Sequence, residues 1–445
     1  MISVAIMGHG VVGSGVAEII ATHKQKLFSA VGEELYIKHI LDLREFPDSP
    51  FADRFTKNFR DIADDIEVRI VVETMGGIHP AYEFVKECLS KGKSVVTSNK
   101  ELVAAHGAEL LAVAKETNAN FLFEASVGGG IPILRPINQC LVANNVSEIA
   151  GILNGTTNFI LTKMFRENMG FDDALKLAQE LGYAERNPAA DIEGHDACRK
   201  ICILASLAFG KHIYPDAVST EGITAITAAD VEYATVWGGV IKLIGSAKRV
   251  GKDQLDMVVA PMFVPGTSQL ANIDDVFNGI MVRGDAVGDV VFYGRGAGKL
   301  PTASAVVADV IDCVKHLKAR KYLSWVDSDN SSVIPAGESV TAMYVRAVTD
   351  AEVAAYDLSK GGLGDINIFD KLPSPSIKNA LVRAAAYFKA KEVFGEIHIL
   401  EKEHAPGHEI AFVTEPMSVS EFNDKLAQLE KKGVKVASKI RIGDL

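Results

Sequence analysis

The densest run of reactive side chains lies in Ala178–Lys200, which reads AQELGYAERNPAADIEGHDACRK. Glu185, Asp191, Glu193 and Asp196 crowd a short loop ahead of an apolar stretch that reads as a helix to about Ala208. Asp196 and Lys200 stand four apart, so they share one face of that helix's first turns. A lysine partly buried near a helix N-terminus has its charged form disfavoured by the helix dipole and by desolvation. Neighbouring carboxylates act the other way, so the sign of the net shift is not legible here. Such a lysine suits removal of a proton from an alcohol as a hydride departs, and the carboxylates suit a substrate ammonium group. The alternative is a solvated charged loop with one i,i+4 salt bridge, and on spacing alone that is the commoner arrangement.

Gly8-His9-Gly10-Val11-Val12-Gly13 follows a buried strand and opens a helix, the setting in which this spacing binds a dinucleotide. The first glycine permits the turn, the second admits a pyrophosphate to the backbone, and the third lets helix and strand pack closely. Asp42 closes the second strand and could hold ribose hydroxyls, although it comes later than usual because the first helix is followed by a long connection. Arg44 and Lys57 could instead reach a 2′-phosphate, which leaves NAD and NADP both open. Thr74, just past the strand Val68–Val72, joins the cofactor candidates. Glu124–Pro132 carries three consecutive glycines, which suit inward-turned carbonyls around a ligand or hard cation, or equally a hinge between domains. Asn154-Gly155-Thr156-Thr157 could cradle a carboxylate or cap a helix.

These residues need rigid elements to hold them. The first 130 residues alternate strands (Ile2–Met7, Tyr36–Leu41, Val68–Val72, Ser94–Thr97, Asn120–Glu124) with helices (Gly13–His23, His79–Ser90, Glu101–Thr117), which predicts an α/β, doubly wound parallel sheet. Three units are expected: a dinucleotide-binding unit over 1–130, an α+β unit over 131–335, and a third over 340–445. The polar Asp327–Ser332 reads as a linker between the last two. The third unit closes with a strand–helix–strand over Glu409–Thr414, Ser418–Lys431 and Lys435–Ile442.

At 445 residues the chain can bury a large core without disulfides, and its 48% apolar and 23% charged content excludes a disordered or collagen-like protein. No run approaches a membrane span, and no basic leader precedes the first strand, so neither a membrane nor a secreted context is expected. A formal charge of −11 argues against nucleic acid as a partner. Five cysteines, odd in number and without a CxxC pair, point to a reducing, cytoplasmic compartment; Cys198 and Cys202, one helical turn apart, lack nearby ligands to complete a metal site and read as buried small hydrophobes.

Taken together, Ala178, Gly182-Tyr183-Ala184, Asn187-Pro188, Asp191-Ile192, Gly194, Asp196 and Lys200 resemble the signature of the homoserine dehydrogenases. Thr97-Ser98-Asn99-Lys100, Glu124–Pro132 and the glycine-rich run from Gly284 to Ser304 resemble the same family, and the similarity covers roughly residues 1–320. The resemblance implies a Rossmann-like cofactor domain, a catalytic and dimerising middle, and NAD- or NADP-dependent interconversion of L-homoserine and L-aspartate 4-semialdehyde on the route to threonine, isoleucine and methionine. It implies Lys200 as the proton-transferring residue, Lys100 beside the nicotinamide and also catalytic, and Glu185, Asp191 and Asp196 as substrate-binding groups, with Asp196 catalytic as well. Asn154, Gly155 and Thr156 would border the substrate. Gly8, Gly10, Val11, Val12, Gly13, Asp42, Arg44, Thr74, Lys100 and Gly298 would meet the cofactor. Glu124, Val127, Gly129 and Ile131 match a monovalent-cation site for Na⁺ or K⁺, mostly through carbonyls.

The third unit resembles an ACT regulatory domain, a βαββαβ module that binds amino-acid effectors. Thr349-Asp350-Ala351-Glu352-Val353 lacks the glycine usual at its ligand-binding turn, and the runs 360–364 and 372–376 blur the match. Threonine feedback and a purely oligomerising role both stay open. A homodimer or homotetramer is expected, as is a single-activity enzyme, because no kinase-sized stretch precedes the cofactor unit.

Overall fold

The computed structural model describes residues 1–319, 323–349, 375–403 and 405–445. Six parallel strands, β1 (Ile2–Met7), β2 (Leu35–Leu41), β3 (Phe55–Thr56), β4 (Val68–Glu73), β5 (Ser94–Thr97) and β6 (Phe121–Leu122), run in the order β3-β2-β1-β4-β5-β6. That is the strand order of a dinucleotide-binding fold, and the parallel, doubly wound sheet is the architecture expected from the alternation of elements. The runs Val4–Met7, Ile70–Val72 and Val95–Val96 are fully buried because helices cover both faces. The helices Val11–Thr22, Ala81–Ser90 and Lys100–Glu116 fall within two residues of their expected bounds. β6 is shorter than expected because the chain turns at Glu124–Ser126 into a short 3₁₀ turn. The helix Lys24–Val31 is an addition to the expected elements; it is eight residues long, has no fully buried residue and follows Val11–Thr22 with only His23 between them.

A later helix, Lys299–Lys315, returns to this sheet and packs against Val11–Thr22. A Cβ on Gly15 would lie 3.0 Å from the Ala303 Cβ, so glycine sets how closely the two helices cross. The cofactor unit therefore includes chain that periodicity assigns to the middle unit, and the one-dimensional boundary at 130 does not separate the two in space.

Among the described residues the second sheet has ten strands. They are β7 (Val146–Ile152), β8 (Ser219–Thr220), β9 (Gly239–Arg249), β10 (Leu255–Pro265), β11 (Phe277–Gly284) and β12 (Gly288–Arg295) in the middle unit. From the third unit, a two-stranded pair of β13 (Val340–Thr341) and β17 (Met417–Ser418) stands apart, while β14 (Met343–Thr349), β15 (Ile397–Ile399), β16 (Glu409–Thr414) and β18 (Val434–Ile442) join the sheet. The order is β12-β11-β7-β9-β10-β18-β14-β16-β15, with β8 beside β10. The two units share one sheet because Met262 and Phe263 pair in parallel with Arg441 and Ile442.

Within the third unit, β14, the helix Pro375–Phe394, β15, β16, the helix Val419–Lys431 and β18 follow the expected βαββαβ order, with an antiparallel β18-β14-β16-β15 sheet, a split βαβ arrangement. Residues 350–353, 360–364 and 372–374, singled out in the sequence, lie outside the described residues. Asp327–Ser332 is strapped to the middle unit: Tyr214 N donates to Asn330 Oδ1 at 3.0 Å and Leu255 N to the Ser332 carbonyl at 2.8 Å. Among the described residues no helix is long and apolar enough to cross a membrane.

Candidate active site

The three glycines of the first turn do different work. Gly8 has φ +93°, and a Cβ there would meet the Thr74 carbonyl oxygen at 2.8 Å. A Cβ on Gly13 would fall 1.9 Å from the Gly8 carbonyl oxygen, so only glycine allows helix and strand to close up. At Gly10 nothing lies within 4 Å, leaving open space over the backbone. The helix Val11–Thr22 starts there without a side-chain cap, so its first N–H groups face that space with no side-chain partner.

A cavity of about 560 Å³ opens at this point, lined by Gly8, Gly10, Asp42, Arg44, Lys57 and Thr74 among others. The Asp42 carboxylate is already occupied. It accepts from His9 N at 2.8 Å, Arg44 N at 3.0 Å, Arg44 Nε at 3.0 Å and Arg44 Nη2 at 2.8 Å. The Arg44 hydrogen bonds hold it well below the usual carboxylate range. Lys57 pairs with Glu45 at 2.9 Å on the same wall.

A second cavity of about 510 Å³ shares Thr74, Met75 and Gly76 with the first and is lined by Val12, Lys100, Val127, Gly129, Glu185 and Lys200. Lys200 projects from the helix His195–Phe209, whose N-cap Gly194 takes φ +87°. Its Nζ donates to the Leu153 carbonyl and to Asp196 Oδ2, both at 2.8 Å. Lys100 pairs with the other Asp196 oxygen, so one buried carboxylate bridges two lysines. Burial lowers the Lys200 pKa, and Asp196 offsets only part of that. Burial also acts to lower Lys100, but Asp196 outweighs it and the net direction is up. Burial acts to raise Asp196; Lys200 and Lys100 outweigh it and hold the carboxylate well down. Asp191 is pushed up by burial and by Asp196.

The i,i+4 salt bridge thus exists, but it is buried at a cavity wall and not in a solvated loop. Glu185 lines the cavity from an exposed position. Asn154 stands behind the carboxylates, donating through Nδ2 to Asp191 Oδ1 at 2.7 Å and to Asp196 Oδ2 at 2.8 Å. Its Oδ1 accepts from Thr157 N at 2.8 Å and caps the helix Gly155–Arg166. The Thr156 hydroxyl donates to the Tyr183 carbonyl at 2.7 Å, and a Cβ on Gly155 would meet the Val276 carbonyl oxygen at 2.8 Å. None of these three residues lines the cavity itself: Asn154 braces Asp196 from behind, and Gly155 and Thr156 pack internally.

The Glu124 carboxylate is not free either. Its oxygens accept from Ile133 N at 2.6 Å, Leu134 N at 2.8 Å and Arg135 N at 2.8 Å, so only its backbone could face a cation. Gly129 has φ +57°, and a Cβ there would sit 2.2 Å from the Gly296 carbonyl oxygen. A Cβ on Gly128 would lie 2.4 Å from the Ile131 carbonyl oxygen, which folds back over the loop. Gly296, Ala297 and Thr302 line the second cavity, and Gly298, with φ +120°, starts the helix Lys299–Lys315 beside them.

One residue that sequence reasoning missed, Glu73, and one it named only within the Thr97–Lys100 motif, Asn99, support the same cavity: Asn99 lines it, and Glu73 holds the backbone of Met75 and Gly76 that does. Glu73, at the end of β4, accepts from Met75 N at 2.7 Å and from Thr97 Oγ1 at 2.5 Å, and burial pushes its pKa up. A lone acid at a strand end carries no signal of such a role. Asn99 caps the helix Lys100–Glu116 through Leu102 N at 3.1 Å and donates to the Gly77 carbonyl at 2.6 Å. Its position one residue before a helix was the available signal.

This arrangement has close counterparts. The family model described as homoserine dehydrogenase matches residues 132–311, and the homoserine dehydrogenase NAD-binding domain matches 8–124. The homoserine dehydrogenase of Bacillus subtilis is 41% identical over 321 residues, 71% of this chain and 74% of that one. That of Synechocystis is 40% identical over 357 residues, 78% of this chain and 82% of that one. Among solved structures, a homoserine dehydrogenase from Thiobacillus denitrificans matches with a TM-score of 0.84 at 34% identity, covering 100% of this chain and 98% of that one. A hyperthermophilic archaeal homoserine dehydrogenase in complex with NADPH matches with a TM-score of 0.60 at 28% identity, covering 70% of this chain and 97% of that one. The chain belongs to the homoserine dehydrogenase family, NAD(P)-dependent oxidoreductases acting on a CH–OH group.

Proposed function

We propose that this protein interconverts L-homoserine and L-aspartate 4-semialdehyde, with Lys200 as the proton acceptor. The observation that carries the reading is the Lys100–Asp196–Lys200 array, with Asp196 and Lys200 buried and Lys100 half-exposed, at the wall of a cavity that shares three residues with the dinucleotide turn. NAD(P), when bound, supplies the hydride acceptor, and the open backbone at Gly10 and the uncapped helix behind it fit its pyrophosphate. Burial keeps Lys200 closer to neutral than a free lysine, so its Nζ lone pair takes the hydroxyl proton as the C–H electron pair leaves. Lys100 keeps its charge beside Asp196 and steadies the developing carbonyl oxygen. Glu185 and Asp191 take the substrate ammonium. Asp196 sets the separation of the two lysines, and Asn154 holds Asp196 and Asp191 in place.

NADP is the better-fitting cofactor, because Arg44 saturates the Asp42 carboxylate while Arg44 and Lys57 present cations to the same cavity. A monovalent cation, Na⁺ or K⁺, is assigned to the carbonyl oxygens of Glu124, Val127, Gly129 and Ile131, where it would order the loop that lines the second cavity. The third unit is assigned an ACT-like role from its split βαβ topology, with threonine as the effector to test, and a homodimer or homotetramer is the assigned assembly. A cytoplasmic location accords with five cysteines, all free.

The deciding assay follows reduced nicotinamide by its near-ultraviolet absorbance, with purified protein, homoserine and either NAD or NADP, with and without K⁺ or Na⁺, and with added L-threonine. Lys200→Ala should lose about 10³-fold or more in kcat while binding NADPH with unchanged affinity. Substantial turnover in that variant would remove Lys200 from the reaction.

A further inference from the structure

The two lysines reach the cavity from different helices, and one imidazole outside the cavity ties those helices together. One turn beyond Lys100 on the helix Lys100–Glu116, the Ala104 carbonyl oxygen lies 2.9 Å from His212 Nε2. The other ring nitrogen, Nδ1, lies 2.8 Å from Trp325 Nε1. An indole N–H can only donate and a carbonyl can only accept, so the network assigns Nδ1 as the acceptor and places the single ring proton on Nε2.

His212 follows the helix His195–Phe209 that carries Asp196 and Lys200, and Ile213 N donates to Ser206 Oγ at 2.9 Å, anchoring it to the end of that helix. Trp325 belongs to the strand of chain that leads to the third unit, and a Cβ on Gly107 would meet its ring at 2.7 Å. The indole therefore lies flush on the helix Lys100–Glu116. Both rings are buried, and Tyr214 packs edge-on against the imidazole at 4.3 Å. Burial lowers the His212 pKa; the hydrogen bond to Ala104 and the charge of Asp327 oppose it, His106 adds to it, and the net direction is down, in keeping with a neutral ring.

We propose that His212 is a positioning residue for the hydride-transfer step: by donating to Ala104 it holds the Lys100 helix in register against the Asp196–Lys200 helix, and Trp325 locks it in the tautomer that can do so. Ala104 and Lys100 are four apart on one helix face, so a shift at Ala104 is a shift at Lys100. A displacement of about 1 Å in such an array costs on the order of 10²-fold in rate. The inference rests on the reading of Lys100 and Lys200 given above.

Two substitutions separate the bonds. In His212→Gln the side-chain amide can still donate to Ala104, whereas in His212→Asn the shorter chain can only serve Trp325. The expected result is a kcat about tenfold lower for His212→Asn with KM for homoserine and NADP within about twofold, and a kcat for His212→Gln within about threefold of the parent. Equal losses in both variants, an unchanged kcat in His212→Asn, or a loss confined to KM each overturns the proposal. Should His212→Asn fail to fold, Trp325→Phe keeps an aromatic side chain, though a smaller one, and removes the donor; a severalfold fall in kcat at constant KM supports the proposal, and no change overturns it. Lys100→Ala is assayed alongside. If that variant is fully active, the reading of the array fails and the inference with it; if it is inactive while His212→Asn is unimpaired, the inference alone fails.

Discussion

Asp196 decides the protonation of both lysines, which makes it the most informative single position. Removing its charge takes away what opposes burial at Lys200, so the Lys200 pKa falls further. Homoserine oxidation needs neutral Lys200, and the neutral fraction grows as pH rises through its pKa. Asp196→Asn should therefore move the alkaline rise in kcat to lower pH, while the loosened array lowers the maximal kcat by about 10²-fold. The kcat–pH profile in the oxidative direction checks this, and a rise that moves to higher pH excludes Lys200 as the titrating base. At this scale the four-residue spacing was legible, because helical geometry follows from sequence. The sign of the shift was not, because it depends on burial and on Lys100, which arrives from 96 positions away in the chain.

The elements differ in what each demands of its residues. Gly10 faces open space and Gly13 faces the Gly8 carbonyl, so the same substitution should have opposite signatures. Gly10→Ala should leave the thermal midpoint within about 1 °C and raise KM for NADP by tenfold or more, since its methyl group occupies space a pyrophosphate needs. Gly13→Ala should destabilise the fold by at least about 2–3 kcal/mol, read by denaturant unfolding. A Gly10→Ala enzyme with unaltered KM would place the cofactor elsewhere. The parallel strands and their helices were legible because burial on both faces leaves unbroken apolar runs. The helix Lys24–Val31, with no buried residue, left no such trace.

The whole molecule is held together by interactions that cross its expected boundaries. Beyond the β10–β18 pairing, Arg346 Nε meets Asp230 Oδ1 at 2.9 Å and its Nη1 meets Glu409 Oε2 at 3.1 Å. Tyr344 donates to Asp230 at 3.1 Å and Tyr233 to Glu409 at 3.0 Å, and both carboxylates are buried. Arg346→Met leaves the buried Asp230 without a cation and Glu409 with only Lys402, at 3.7 Å, and should cost about 3–5 kcal/mol in chemical denaturation, with kcat little changed because the network lies away from the two lysines. Unchanged stability would mean that the third unit docks through its strands alone.

The residue types of the reaction, the glycine turn, the doubly wound parallel sheet and the closing strand–helix–strand of the tail were determined by the sequence itself, since each depends on neighbours within a few turns or on a repeating apolar pattern. The return of Lys299–Lys315 to the first sheet, the fusion of two units into one sheet and the bridging of two lysines by Asp196 were decided only in three dimensions. Each joins positions far apart in the chain, where the deciding quantity is which surfaces exclude water together, and local spacing carries no record of that.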